Sequence, residues 1–232
     1  GEQSFVQLLS WWSQPDRAVS ELPPGVLAPN HEFREATPPP LASLPLPARD
    51  LLPNERYRYL FSTHRMMGTL ITSRGCPFRC TFCDKSVSGS RWRARSAASV
   101  VDEMTVMVEQ YGIRFINIYD DNFTLNRGRV MAICEEILAR GLVIDWKCEG
   151  RVDAVDKELL ELMKRAGCKV IAFGVESANR ETLALLRKDI LVEQSIQAFA
   201  LMREVEIRSL AYMILGAPGE QSQDVLRSIR FC

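Results

Sequence analysis

Cys76, Cys80 and Cys83 stand in the run Arg-Gly-Cys-Pro-Phe-Arg-Cys-Thr-Phe-Cys, a CxxxCxxC spacing with no fourth cysteine nearby. Closed structural metal sites take four protein ligands, whereas catalytic sites keep one position open for water or substrate. A 4Fe–4S cluster is ordinarily held by four thiolates. Three thiolates in one tight loop therefore point to an iron–sulfur cluster with one iron free to bind something else. The competing readings are a structural zinc site completed by His64, or three unrelated core cysteines. His64 lies upstream and no second CxxC exists, which weighs against the zinc site.

Further reactive residues recur wherever an apolar run stops. From about residue 68, strand candidates at Thr69–Thr72, Phe115–Tyr119, Val143–Cys148, Val170–Val175 and Ser209–Leu215 alternate with helical patterns. The helical patterns lie near 97–110, 127–140, 156–166, 180–205 (interrupted near Asp189) and from 221 onward. Three of them end around a glycine, Gly112, Gly141 or Gly167, which supplies the left-handed conformation that turns the chain into the next strand. This alternation predicts a parallel sheet with helical cover, either an open doubly wound sheet or part of a barrel. In both architectures the chemistry belongs at the carboxyl ends of the strands.

Those ends deliver, in order, the cysteine loop, then Asp120 and Asp121, then Glu149 and Arg151, then Glu176 and Ser177, then Gly216 and Glu220. Each also has a plainer reading. The aspartates could cap a turn, and Glu149, Arg151 and Glu176 could simply pair as salt bridges. Arg91, Arg93 and Arg95 alternate, so an extended segment would show them on one face, as a solvated edge or an anion site. Ser96 or Ser99 reads as the N-cap of the following helix. Cys134, Cys148, Cys168 and Cys232 read as packing residues, and Met104, Met107 and Phe199 as core.

Upstream, Phe5, Leu8, Leu9 and Trp12 mark a short amphipathic helix over residues 2–13. A proline-rich stretch from Pro15 to Pro53 follows and reads as an extended connector. The 232 residues carry zero formal net charge and 47% hydrophobic residues, so charge gives no reason to expect nucleic acid or an acidic membrane surface as partner. No apolar run approaches the ~20 residues of a membrane span, and no signal peptide is visible. Seven cysteines, an odd number, fit a reducing compartment better than a disulfide scaffold. The expected location is the cytoplasm.

The cysteine triplet after a first strand, with Phe82 just before its last member, resembles the radical S-adenosylmethionine (radical SAM) superfamily. The resemblance covers about residues 68–232 and implies a (β/α)6 TIM-like barrel, of which five strands are visible here. It implies that Cys76, Cys80 and Cys83 hold a 4Fe–4S cluster whose open iron is chelated by S-adenosylmethionine. It further implies reductive cleavage to a 5′-deoxyadenosyl radical, a small-molecule substrate, and a reductant such as flavodoxin or ferredoxin. By the same resemblance Phe82 would lie against the adenine, and Ile214 would border it through its backbone. Asp120 and Asp121 stand where many members have a Gly-Gly-Glu segment touching the methionine amino group. Glu149, Arg151, Glu176 and Lys188 join the cofactor contacts, with Glu176 toward the ribose and Lys188 toward the carboxylate.

The segments Asp-Asp-Asn-Phe-Thr, Phe-Gly-Val-Glu-Ser and Leu-Gly-Ala-Pro-Gly-Glu are similar to the subgroup that carries an N-terminal cobalamin-binding domain. That subgroup includes the anaerobic magnesium-protoporphyrin ester cyclase and several radical methyltransferases. Residues 1–67 are then expected to be the tail of such a domain plus a linker, and 68–232 a C-terminally truncated core. Cobalamin would come with the missing domain, serving methyl transfer or cyclisation. The rival within the superfamily is a methylthiotransferase, but such enzymes usually carry a second upstream cluster and residues 1–67 hold no cysteine. The rival from another class, a non-catalytic metal-binding interaction module, predicts a fourth ligand and no polar rim.

Overall fold

The computed structural model describes residues 1–60 and 62–232. Its elements run α1 (Glu2–Trp12), β1 (Met67–Leu70), β2 (Ser73–Arg74), β3 (Arg93–Ala94), α2 (Ala97–Glu109), β4 (Phe115–Ile118) and α3 (Arg127–Ala139). They continue with β5 (Asp145–Gly150), α4 (Lys157–Arg165), β6 (Cys168–Glu176), α5 (Arg180–Leu185), α6 (Val192–Glu204), β7 (Arg208–Met213) and α7 (Ser222–Phe231). Two compact units result, Gly1–Pro45 and Leu46–Cys232.

The smaller unit holds α1, whose stripe is not sequestered: Phe5, Leu9 and Trp12 are each more than half exposed. Arg17 lies over the Trp12 ring. The part of the proline-rich stretch in this unit carries single 3₁₀ turns at Val19–Glu21 and Leu41–Ser43.

In the larger unit β1, β4, β5, β6 and β7 form one parallel sheet in that sequential order. Each βα step lays its strand beside the last, which makes the unit an arc of a TIM-like barrel. One face of the arc is apolar because alternate residues point to it. Ile116, Ile118, Trp146, Cys148, Ile171 and Phe173 are buried there against Met104, Met107, Ile133 and Leu160 of the helices. Each such side chain contributes about 1.5–3 kcal/mol by leaving water. Cys134, Cys148 and Cys168 belong to this core, but Cys232 is exposed. Its expected packing role is corrected: it follows α7 and meets no core.

The three helix-ending glycines take φ of 65°, 62° and 94° at Gly112, Gly141 and Gly167. The expected break near Asp189 separates α5 from α6, with Arg187 and Asp189 both at positive φ. β1 begins and ends two residues earlier than anticipated, because Thr72 and the following Ser73 turn aside to bind Asp120. Residues 46–66 belong to the larger unit rather than to a separate linker. Arg49 is the reason: it donates to Thr69 O at 2.9 Å and to the buried Glu103 carboxylate at 2.6 Å, where Arg95 also pairs. Tyr59 stacks on Phe115 at 4.8 Å. Among the described residues, no helix is long and apolar enough to cross a membrane.

Candidate active site

The cysteine loop leaves the sheet through β2 and returns through β3, a two-residue antiparallel pair absent from the sequence expectation. Its root is built by the two aspartates that follow β4. The Asp120 carboxylate, 2% exposed, accepts the backbone N–H groups of Thr72 at 2.6 Å and Ser73 at 3.0 Å and both of their hydroxyls. Asp121 accepts the Gly75 N–H at 2.7 Å. Gly75 must be glycine, since its φ is +87° and a Cβ would overlap the Arg91 carbonyl. Arg129 closes the other side by donating to Thr72 O and Arg95 O. Burial pulls the pKa of its guanidinium down, and the charge of Asp120 opposes that shift.

Within the loop, Cys76 and Cys80 are half-buried and Cys83 is exposed. The Cys76 N–H donates to Gly89 O and Lys85 Nζ to Cys76 O. The three thiols lie within electrostatic reach: burial first, then Cys76 and Cys80, push the Cys83 thiol up. Among the described residues, no three His, Cys, Asp or Glu side chains already converge as a metal cage. The chain pre-forms the loop's backbone rather than a closed set of ligands. Three thiols on one fixed loop fit a cluster better than a four-ligand zinc site. The fourth ligand proposed for zinc is elsewhere, since His64 pairs with Asp145 at 3.0 Å at the amino end of β5.

The far side of the loop rests on the α5–α6 connection, where the Thr81 N–H donates to Leu186 O at 3.0 Å. Two cations reach the loop's aromatics. Lys188 Nζ lies 5.8 Å from the Phe82 ring and Arg151 Cζ lies 3.7 Å from the Phe78 ring. Lys188 also pairs with Glu176 at 2.8 Å, both nearly buried. Glu176 sits at φ +67°, where β6 slips register against β7; a strained non-glycine residue of this kind is a mark of functional sites. Gly174 makes the pair possible, because a Cβ there would overlap both Glu176 Oε1 and Lys188 Nζ.

The structure thus brings Phe82, Asp121, Arg151, Glu176 and Lys188 to the cysteine loop and sets Asp120 at its root. Glu149 accepts Lys147 Nζ at 3.1 Å and the Tyr212 hydroxyl at 3.0 Å. Burial opposes the Lys147 charge, but Glu149 more than offsets it and holds the ammonium above its ordinary pKa. Burial and the Glu149 charge raise the Tyr212 phenol. The Ile214 N–H is used by Glu176 O at 2.8 Å. Of the three alternating arginines, Arg95 turns inward to Glu103. Sequence reasoning missed Thr72, Ser73, Phe78, Arg129 and Gly174, whose roles depend on partners 34 to 73 residues away or, for Gly174, on space. Only the proximity of Phe78 to the triplet could have flagged one of them.

A sequential parallel βα array whose first strand feeds a three-thiol loop defines an enzyme class organised around a thiolate-held cluster. The chain belongs to the radical SAM superfamily, which its residues 70–232 match; the family's cofactors are a 4Fe–4S cluster and S-adenosylmethionine. Over 207 residues it is 36% identical to an uncharacterised methyltransferase of Pyrococcus horikoshii, covering 87% of this chain and 44% of that protein. Over 162 residues it is 35% identical to the anaerobic magnesium-protoporphyrin IX monomethyl ester cyclase of Cereibacter sphaeroides, covering 68% and 26%. It superposes on the radical S-adenosylmethionine methyltransferase TsrM of Kitasatospora setae, solved with cobalamin and a 4Fe–4S cluster bound, with a TM-score of 0.67. The identity is 26%, over 71% of this chain and 32% of that one. The chain spans less than half the length of each of these proteins.

Proposed function

We propose that this chain is the core of a cobalamin-dependent radical SAM enzyme that methylates or cyclises a small organic substrate in the cytoplasm. One observation carries the reading: three thiols on a loop tied to Asp120 and Asp121 after β4 and to the α5–α6 connection, beside the buried Glu176–Lys188 pair. Cys76, Cys80 and Cys83 would hold the 4Fe–4S cluster. The chemistry a bound cluster supplies is one electron to the sulfonium of S-adenosylmethionine, which then yields methionine and a 5′-deoxyadenosyl radical.

The chain's own residues bind and orient the cosubstrate. Lys188 offers a cation to the methionine carboxylate. Glu176 faces the ribose hydroxyls, while Phe82, 45% exposed, offers a ring to the adenine, which the Ile214 backbone borders. Asp120 and Asp121 serve mainly by fixing the loop. Cobalamin would be held by sequence outside this chain, and a flavodoxin- or ferredoxin-type protein would deliver the electron. The similarity to named methyltransferases and to the cyclase supports this pair of chemistries.

The test is anaerobic reconstitution of the full-length protein with iron and sulfide, then dithionite and S-adenosylmethionine. 5′-Deoxyadenosine is expected from the wild type and not from Cys83→Ala. Undiminished cleavage by the variant would overturn the ligand assignment. Failure of the full-length protein to bind cobalamin would remove the methyl-transfer reading and leave the cleavage reading standing.

A further inference from the structure

Arg151 follows directly on β5 and is 5% exposed. A guanidinium has five N–H donors in a planar fork, and four of the contacts they can make are already formed within the protein. Nε and Nη2 grip the Asp153 carboxylate at 2.9 Å each. Nη1 donates to Lys188 O at 3.0 Å and Nη2 to Asp189 O at 3.1 Å. Two edges of the fork are therefore occupied, and Phe78 lies 3.7 Å away against the flat face. A bidentate grip on a ligand carboxylate needs two free donors on one edge, and Arg151 has a single N–H left.

What it touches is informative. Phe78 stands between Cys76 and Cys80. Lys188 and Asp189 lie in the α5–α6 connection, where Arg187 and Asp189 hold positive φ of 49° and 53°. Non-glycine residues stay in that region only when their surroundings over-determine it. Beside this contact the Thr81 amide bonds Leu186 O at 3.0 Å.

We propose that Arg151 is a positioning residue, a planar pin between the cysteine loop and the 186–189 segment. It replaces the expected role of Arg151 as a cosubstrate contact. By holding both at once, Arg151 sets the offset between the cluster's ligands and the Glu176–Lys188 pair; this consequence rests on the function proposed above. Planarity is what the role requires. Lysine keeps the charge but can neither stack flat nor fill two edges.

The experiment compares full-length wild type, Arg151→Lys, Arg151→Ala and Phe78→Leu, all purified anaerobically. Hydrogen exchange at residues 76–84 is read before iron is added, with α2 as internal reference; iron per chain is read after reconstitution. Both arginine variants should exchange the Thr81 amide at least about tenfold faster with α2 unchanged, as expected when local opening becomes easier. Both should retain less iron, and Phe78→Leu should fall between them and wild type. Wild-type exchange and iron content in Arg151→Lys, with only weakened S-adenosylmethionine binding, would overturn the proposal in favour of a cosubstrate contact. Faster exchange throughout α2 would also overturn it, by making Arg151 a general support of the fold. If the wild type itself takes up no cluster, the proposed function fails, while the exchange data still decide the pin.

Discussion

Ser73 and Asp120 are joined twice, the Ser73 N–H donating to one carboxylate oxygen at 3.0 Å and its hydroxyl to the other at 2.6 Å. With Thr72 bound in the same manner, one buried carboxylate just after β4 fixes the point where the chain leaves β1 for the cysteine loop. Replacing it orphans two buried N–H groups. Asp120→Ala should therefore destabilise the protein by about 3 kcal/mol and Asp120→Asn, which keeps one acceptor, by about 1–2 kcal/mol. Urea unfolding measures both; equal costs would show that the oxygen asparagine retains does nothing.

The Glu176–Lys188 pair allows stability and binding to be separated. Lys188→Ala leaves Glu176 as an unpaired buried charge and should cost about 3 kcal/mol. The double variant Glu176→Gln/Lys188→Met should recover most of that stability while binding S-adenosylmethionine weakly. Wild-type affinity in the reconstituted full-length double variant would reduce the pair to a structural role.

Gly141 and Gly167 share a positive φ but differ in surroundings. A Cβ at Gly141 meets nothing within 4 Å, whereas at Gly167 it would overlap the Ile144 carbonyl. Gly141→Ala should cost about 1 kcal/mol, the backbone penalty alone. Gly167→Ala should cost at least about 3 kcal/mol, because the backbone must also move. Thermal or urea melts that rank the two equally would discount the close approach of the chains.

Asp156 caps α4 by accepting the Leu159 N–H at 2.9 Å, and it pairs with Arg127. The Arg127 hydrogen bond, with the Leu159 N–H in support, holds its carboxyl below the ordinary range. A depressed carboxylate contributes stability that is fully present above its unfolded pKa of about 3.9 and lost as pH falls through the lower folded value. Asp156→Ala should cost about 1 kcal/mol at neutral pH, and the gap from wild type should shrink below about pH 4. The ion pair is half-exposed and adds little. A gap that stays constant down to pH 2.5 would show that the charge plays no part.

Periodicity made the βα alternation legible, and helix-ending glycines located three of its joints. The first strand shifted by two residues where tertiary bonds drew a residue away, as Asp120 drew Thr72 from the expected strand. The salt-bridge reading of Glu176 was right in kind but lacked its partner, for nothing in the spacing joins Glu176 to Lys188 until α5 folds the chain back. Gly174 illustrates the same limit, since the space it leaves is visible only when both ends of that pair are in place.

The sequence by itself determined the thiol triplet, the parallel α/β class and the family, because thiol spacing, hydrophobic period and the alternation of strand and helix are local properties of the chain. Only the tertiary structure decided how the loop is held: Asp120 at its root, Asp121 on Gly75, and Arg151 between Phe78 and the Lys188 and Asp189 carbonyls. Hydrogen bonds of short reach between residues 30 or more apart in sequence depend on where the folded sheet brings them. Spacing along the chain carries no record of that.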